Sequence, residues 1–563
     1  MRCLRGLTGY GVRIMAKYFS PFLRRIADHP WGPLIVGLIA VLGNLAVAAW
    51  AGVPRPRVSD EFSYLFAADT YARGQLTNPP HPHWQHFEMA HVLSQPTFQS
   101  RYPMGQAVAL ALGQSILGEP AWGVWLTNAA MAAAVTWMLA AWVPRRWAFL
   151  AGLLFVLQFS LGHYWAQSYW GGALAGIAGA MLFGAVKRLE KGPNRALAVI
   201  MAIGIAILSY TRLWEGLLAS VLAGCALLMI IRKSEAGWRP WIVQIIVPMA
   251  LILTLSMAWM GYYHYQVTGN ALKLPHQLYA DQYSPYPPFL WQRPKPSPGF
   301  NHQDMYDNAY VAEMSRWLDQ RSVAGLLREI SKETTFLWQT VLGFACTIPL
   351  LLLPVLLRQR DTWLPVVGAL LMWGSLCVTT YGFPHYTTPC IGLLFVLIAR
   401  GLQMMGLMTV SGQRVGLVLV VMIFVWQGAM AVGLAQEHIK SNANPAAWYQ
   451  QRWAIEKELE STSGNHLAFV LYPPHHDLDM TVMANYGNLD ERPVVWARLM
   501  TRAQNEALLT YFKDRQLWLI ETEAHGIQVH RRPISKDELL ALSPERLEIK
   551  PSHIEKSVQP AMR

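Results

Sequence analysis

The segment "SDEFSYLFAADTYARGQL", residues 59–76, sets two carboxylates, Asp60 and Glu61, at the start of what reads as a short amphipathic helix, just after the first strongly apolar stretch. At helical spacing Asp60, Tyr64, Ala67 and Tyr71 share one face. A carboxylate at a membrane edge can take the proton of an acceptor hydroxyl, or it can simply cap the helix N-terminus, where negative charge is favoured. In "TRLWEG", Arg212 and Glu215 fall in a very short turn between two apolar runs. Ionisable groups are costly at such depth and point to function, with each other as the expected partners. A guanidinium there can hold a phosphate through two hydrogen bonds; a structural Arg/Glu pair or a snorkelling arginine is the plainer alternative.

Three further stretches carry candidate groups. "GFPHYTTP" offers His385 and Tyr386 ahead of Pro389 at the start of another apolar run, where His385 either donates to a phosphate or sugar or is an interfacial histidine. In "SYWGG", Trp170 supplies a ring for a sugar face or for an interfacial belt, and the two glycines permit close backbone approach. "HPHWQHFEMAH" gathers His81, His83, His86, Glu88 and His91, the composition of a metal site without a standard ligand spacing, and "PPHHDLD" is weaker still. No metal or other cofactor is assigned; a divalent ion is not indicated.

The elements that must position these residues belong to a membrane. Of 563 residues 53% are hydrophobic and 14% charged, whereas soluble domains carry about 25% charge. Residues 33–52 form an uncharged run of spanning length, preceded by Arg13, Lys17, Arg24 and Arg25, so the N-terminus is expected in the cytoplasm and the run is read as a retained anchor. Much of the +12 net charge sits in short clusters ("PRR", "KRLEKGPNR", "RKSEAGWRP", "RQR") between apolar runs. These are topology signals rather than a nucleic-acid surface. Four of the five cysteines (Cys225, Cys346, Cys377 and Cys390) lie in or at the ends of apolar runs and Cys3 in the N-terminal tail, which implies no disulfide framework.

Parity then threads the chain. Residues 121–143 run into the basic "PRR" and are taken to span, while "YPMGQAVALALGQSILG" is short and proline-led and is expected to lie along the outer interface. Further spans are expected near 147–162, 173–186, 196–210, 217–231, 241–263, 334–357, 364–382, 388–408 and 415–435, about eleven in all, with the C-terminus outside. The fold expected is thus a polytopic α-helical membrane protein: a cytoplasmic basic N-terminus over 1–32, a transmembrane domain over 33–435 with outer loops 53–120 and 264–333, a small extracytoplasmic α/β domain over 436–540 and a polar tail over 541–563. In that domain "HLAFVLY" and "QLWLIE" read as strands and "AQNEALLTYFKDR" as a helix between them. All the unusual residues collect on the outer face.

Taken in order, these motifs resemble the GT-C superfamily of polytopic glycosyltransferases, particularly the bacterial relatives of protein O-mannosyltransferases and aminoarabinose transferases. "SDEFSYLFAADTYARGQL" is similar to the family's acidic first-loop motif, "YPMGQAVALALGQSILGEP" to the proline-led segment after it, "TRLWEG" to a later basic turn and "PHYTTP" to an aromatic-proline motif near the end of the fold. The resemblance covers roughly residues 33–435. It implies a polyprenyl-phosphate sugar as donor, a lipid, glycan or protein acceptor, Asp60 as base with Glu61 beside it, and Arg212 with His385 at the donor phosphate. Tyr64, Tyr102, Trp170, Glu215 and Tyr386 are the implied substrate-binding residues, and the inner membrane is the implied location. Two departures stand: "SYWGG" occupies a loop where many relatives show an acid, and Arg replaces the more usual Lys in "TRLWEG". A transporter or lipid flippase is the competing reading from another class, disfavoured by the lack of an internal repeat. A glycan ligase or polymerase using Arg293 and His302 of the second outer loop, and a non-catalytic scaffold, are the others.

Overall fold

The computed structural model describes residues 21–473, 475–523, 528–552 and 554, with side chains from residue 25 onward. The topology signals Arg13, Lys17 and Arg24, together with Cys3 and residues 555–563 of the tail, fall outside that description. The first long helix, α1 (Gly32–Ala51), has Pro33 in its first turn and stops at Gly52, whose φ of 76° suits glycine. Its 20 residues span about 30 Å, the thickness of a bilayer core.

After α1 come the loop helices α2 (Ser59–Ala72) and α3 (Met104–Leu117), then α4 (Ala121–Leu139), α5 (Arg145–Phe159), α6 (Ala173–Leu189), α7 (Arg195–Ser209), α8 (Leu213–Lys233) and α9 (Trp238–Thr268). Following the second outer loop, α10 (Val323–Leu337) continues through a π-turn over Trp338–Leu342; α11 (Trp363–Cys377), α12 (Pro384–Gly406) and α13 (Val415–Asn442) complete the bundle. Among the described residues, five helices, α1, α8, α9, α12 and α13, are long and apolar enough to cross a membrane. The 15-residue helices α5, α7 and α11 reach only about 22 Å.

The bundle is pinned by a buried polar network that joins α1, α4 and the end of α5. Asn44 on α1 donates to Asn128 Oδ1 on α4 at 3.2 Å, and Asn128 donates to the Phe159 carbonyl at 2.8 Å. Ser160 Oγ donates to Asn128 and the Leu161 amide to Asn44. Every member has a partner, so the network fixes register without leaving a bare polar group in the core. Close backbone contact assists: a Cβ on Gly37 would lie 2.9 Å from the Ala129 carbonyl oxygen.

Three expectations need correction. The helix α2 is not a surface amphipath: Phe62 and Phe66 join the core of the C-terminal domain, while Tyr64, Leu65 and Ala68 pack with Leu110, Val124 and Trp125 of α3 and α4. Second, α8 begins at Leu213, so Arg212 is its N-cap residue and Glu215 lies in its first turn rather than in a loop. Third, α10 starts at Val323 and α13 runs to Asn442, beyond the expected boundaries. The proline-led segment does form a helix, α3, leaving Leu112, Ile116 and Leu117 exposed.

The C-terminal domain is a four-stranded sheet in the order β4-β3-β5-β6, where β3 is His466–Leu471, β4 Val494–Arg498, β5 Gln516–Thr522 and β6 Val529–Pro533; a two-stranded ribbon, β1 (Val92–Leu93) with β2 (Gln99–Ser100), lies in the first outer loop. The central strand β3 pairs in parallel with both β4 and β5, and β6 closes the edge antiparallel. Helices Trp448–Ser461 and Arg502–Tyr511 cover it. The chain beyond 540 is not a detached tail: Ile549 and Ile554 pack with Tyr306, Tyr310 and Trp317, and the Ser552 amide donates to Tyr306.

This domain is clamped to the outer loops by buried charge. Arg498 on β4 makes two hydrogen bonds, of 2.7 and 2.8 Å, to Asp304 and donates to the Glu88 carbonyl. Both charged residues are buried. Removing one member of a buried pair costs about 3–5 kcal/mol because the other charge is stranded. Arg498→Ala is therefore expected to lower the unfolding temperature of the purified protein by several degrees, with Arg498→Met/Asp304→Asn recovering part of the loss; an unchanged transition in Arg498→Ala would show that the clamp carries no stability.

Candidate functional site

At the N-terminus of α2, Asp60 and Glu61 point in different directions, as neighbours about 100° apart on a helix must. Glu61 is buried and accepts the Arg57 amide at 3.0 Å and the Tyr169 amide at 2.9 Å. Burial pushes its carboxyl up to about 7, against the pull of those two amides. Both oxygens are engaged by backbone, so Glu61 ties α2 to the loop before α6; the paired catalytic role expected for it does not match this geometry.

Asp60 faces a different set of groups. It accepts a hydrogen bond from the Tyr102 hydroxyl, and His91 Nε2 lies 3.6 Å from its other oxygen. Its side chain is 26% exposed. Tyr102 is held by Arg101, which donates to the same hydroxyl at 3.2 Å, and by stacking on Tyr64 at 4.5 Å between ring centres. His91 is pressed down to about 3 by burial and then by Arg101, with Asp60 opposing, so its ring is neutral. Asp60 thus has a hydroxyl donor and a neutral imidazole beside it and, among the described residues, no cation in ion-pair contact.

Arg212 approaches from the bundle side. The start of α3 abuts its turn: the Gly105 amide donates to the Tyr210 carbonyl at 2.8 Å, where a Cβ on Gly105 would collide. The guanidinium lies 4.3 Å over the Tyr386 ring, and electrostatically it faces both Tyr386 and Tyr64. The expected ion pair with Glu215 is not formed: the two feel each other's charge without appearing among the ion pairs of the described residues. Tyr64, Trp170, Gly172 and Arg212 line one small cavity of about 20 Å³. Gly172 explains the glycines of "SYWGG", since a Cβ there would sit 3.2 Å from His385 Cβ.

His385 is buried in an aromatic box, 5.2 Å from Trp170 and 5.6 Å from Phe383, with the Tyr164 hydroxyl 3.4 Å from its Nδ1. It forms a wall behind Tyr386. The histidine-rich loop disperses: His86 bonds the Arg498 carbonyl, Glu88 bonds Tyr283, Asn301 and His302, and His91 turns to Asp60. Among the described residues no group of three metal-ligating side chains is assembled. Those bonds also make His302 part of a structural knot with Glu88 rather than an independent site.

Two residues of this centre, Arg101 and Glu313, were not singled out from the sequence, and a third, Asp479, only as the end of the weak metal candidate "PPHHDLD". Arg101 precedes Tyr102 in the loop before α3. Asp479, which accepts from Ser59 at 2.7 Å, comes from the C-terminal domain. Glu313 comes from the second outer loop; it is pushed up to about 8 by burial, then by Asp60 and Asp479, with Arg101 pulling the other way. Glu313 Oε2 is buried without a partner. Only the fold could bring them to Asp60. A cavity of about 590 Å³ at the other end of the bundle, lined by Lys187, Lys191 and Lys233, contains none of these residues.

No protein-family model matches the chain, and no curated protein matches it significantly. Among solved structures it is similar to ArnT from Cupriavidus metallidurans bound to undecaprenyl phosphate, with a TM-score of 0.47, 12% identity, and coverage of 88% of this chain and 94% of that one. It is also similar to the oligosaccharyltransferase of Archaeoglobus fulgidus in complex with zinc and sulfate, with a TM-score of 0.42, 10% identity, and coverage of 86% and 68%. Scores of this size transfer no residue's role, and the roles argued here rest on geometry.

Because Glu313 is protonated more readily folded than unfolded, its contribution to stability is full below about pH 4.5 and is lost as pH rises through about 8. Glu313→Gln should therefore raise the unfolding temperature relative to wild type at pH 9, by several degrees, and match it at pH 4. A constant difference across that range would mean that Glu313 does not titrate near Asp60.

Proposed function

We propose that this chain is a membrane glycosyltransferase that moves a sugar from a polyprenyl-phosphate donor to an acceptor hydroxyl at the extracytoplasmic face. The observation that carries it is that Asp60 and Arg212 act electrostatically on the same two tyrosines, Tyr64 and Tyr386. Asp60 is a partly exposed carboxylate without a cationic partner, and Arg212 is a half-buried guanidinium whose neighbours are aromatic rings rather than an acid. An unpaired guanidinium at the end of a membrane helix is a site for an anion, and an unpaired carboxylate beside it is a site for a proton.

In the proposed reaction the acceptor oxygen forms a bond to the anomeric carbon as the bond from that carbon to the phosphate oxygen breaks. Asp60 takes the acceptor proton, and Arg212 compensates the charge left on the phosphate. Tyr102, fixed by Arg101 and stacked on Tyr64, orients the Asp60 carboxylate. Glu313, protonated below about pH 8, is a neutral neighbour, so Asp60 does not have to share the centre with a second charged group on that side. The lipid bilayer presents the donor, and the chemistry as written draws on no cofactor. The topology that fits is eleven crossings in the inner membrane, with the N-terminus cytoplasmic and the C-terminal domain outside. The acceptor class, whether lipid, glycan or protein, is left to the assay.

The test is transfer of radiolabelled sugar from polyprenyl-phosphate donors in membranes holding matched amounts of wild type and variants. Asp60→Asn should lower transfer by about 10²–10⁴-fold and Arg212→Ala by about 10²–10³-fold, with Arg212→Lys intermediate. Wild-type rates in both Asp60→Asn and Arg212→Ala would remove this mechanism.

A further inference from the structure

A second cavity, of about 490 Å³, lies on the far side of Glu61 from Asp60, between α5, the π-turn after α10 and the end of α13. Its size is within the range of about 300–1,000 Å³ typical of small-molecule sites. Four side chains that line it are more than nine-tenths buried and keep a polar atom with no partner: Gln158 Oε1, His163 Nε2, Gln167 Oε1 and His438 Nε2. Arg57 Nε, also on its wall, is unpartnered too. Buried polar atoms are normally paired, and five orphans around one cavity point to a ligand that completes them.

The identity of the orphans restricts that ligand. Gln158 donates its amide to the Thr340 carbonyl at 2.9 Å and Gln167 to the Leu161 carbonyl at 2.6 Å. Each amide orientation is thereby fixed, and what remains is an acceptor oxygen in both cases. His438 Nδ1 lies 3.3 Å from an Arg57 guanidinium nitrogen, which can only donate, so Nδ1 accepts and Nε2 carries the proton. His163 Nδ1 accepts the Trp165 amide at 3.2 Å, so its Nε2 carries a proton as well, and the wall offers two acceptors and three donors. A phosphate has only acceptors and would leave the glutamine oxygens facing like partial charge; hydroxyl groups donate and accept, and satisfy both kinds.

The remaining wall is aromatic and apolar. Tyr164 and Trp170 line this cavity, and Trp170 also lines the small cavity beside Arg212, so the two spaces share a wall. Phe336 and Leu434 on the lining are 43% and 40% exposed, and they belong to helices that carry apolar surface outward. A ring-bearing, hydroxyl-rich headgroup on an apolar tail fits such a space.

We propose that this cavity binds the carbohydrate headgroup of a glycolipid. The proposal rests on the transferase reading only for which lipid carries the sugar: the phosphate-linked donor or a glycolipid acceptor. The experiment measures binding of lipids to the purified full-length protein in nanodiscs, using matched pairs that differ by a sugar. One pair is undecaprenyl phosphate against its glucose-, mannose- and galactose-linked forms; the other is diacylglycerol against monoglucosyl diacylglycerol. At least one sugar-bearing lipid should bind about tenfold more tightly than its parent. That increment should vanish in Gln158→Met/Gln167→Met, with the affinity of the parent unchanged. Leu434→Trp, which narrows the cavity from its exposed wall without touching the polar groups, should remove the increment as well, and it guards against a misfolded double variant. An increment in the phosphate pair alone assigns the donor's sugar, and one in the diacylglycerol pair assigns a glycolipid acceptor. No increment in any pair, or one that survives both variants, overturns the proposal. Asp60→Asn should keep the increment whatever its transfer rate, so failure of the transferase reading and failure of this one give different results.

Discussion

The capture of two backbone amides by the buried carboxylate of Glu61 is the contact on which the outer face depends. One amide comes from Arg57, in the loop leaving α1, and the other from Tyr169, in the loop entering α6. A carboxyl inside protein is costly unless its oxygens are satisfied, and here two strands of chain converge to satisfy them. The consequence is geometric. With Glu61 pinned inward, the helix phase of α2 is set, and Asp60 must emerge on the side of Tyr102 and Arg101. The same loop is held from outside as the Tyr169 hydroxyl donates to the Pro54 carbonyl at 2.7 Å and the Asn442 side chain to Ala51.

The C-terminal domain extends that logic. It buries the other face of α2 through Phe62 and Phe66, and its Arg492 bonds Asp69 near the end of the same helix at 2.6 Å. A loop helix of 14 residues would be marginal alone. It is gripped on both faces, by the C-terminal domain and by α3 and α4, which fixes where Asp60 stands. The domain also supplies Asp479 to the centre, where it accepts a hydrogen bond from Ser59 at the start of α2.

The sequence makes part of this legible. The positions of Asp60, Arg212 and Tyr386 stand out because charged and aromatic residues at the ends of apolar runs are unusual, and Trp170 with its glycines does turn out to face His385. The strands β3 and β5 are apolar runs and read as strands, whereas β6, "VHRRP", is a charged edge strand with no apolar pattern to find. The division of labour between Asp60 and Glu61 is invisible locally, because it is decided by the Tyr169 amide far along the chain. Arg101 and Glu313 escape for the same reason, and Asp479 shows only as the end of the weak metal candidate "PPHHDLD": each is ordinary loop charge until tertiary packing puts it against Asp60. The Arg212–Glu215 pairing is a different kind of miss. Residues three apart on a helix can meet, but the Tyr386 ring takes the guanidinium instead.

That last substitution bears on how the centre works. A carboxylate and a guanidinium free to meet at low dielectric would pair, and each would then be spent on the other. The stacked Tyr64 and Tyr102 stand on the Asp60 side, and Tyr386 lies under Arg212. An aromatic face attracts a cation more weakly than an acid does, so it can park the guanidinium without neutralising it. Tyr102 in turn gives Asp60 a hydrogen bond without a counter-charge. The tyrosines keep the two opposite charges from pairing with each other, and the substrate proposed above, with an anion at one end and a proton-bearing hydroxyl at the other, would find neither charge neutralised.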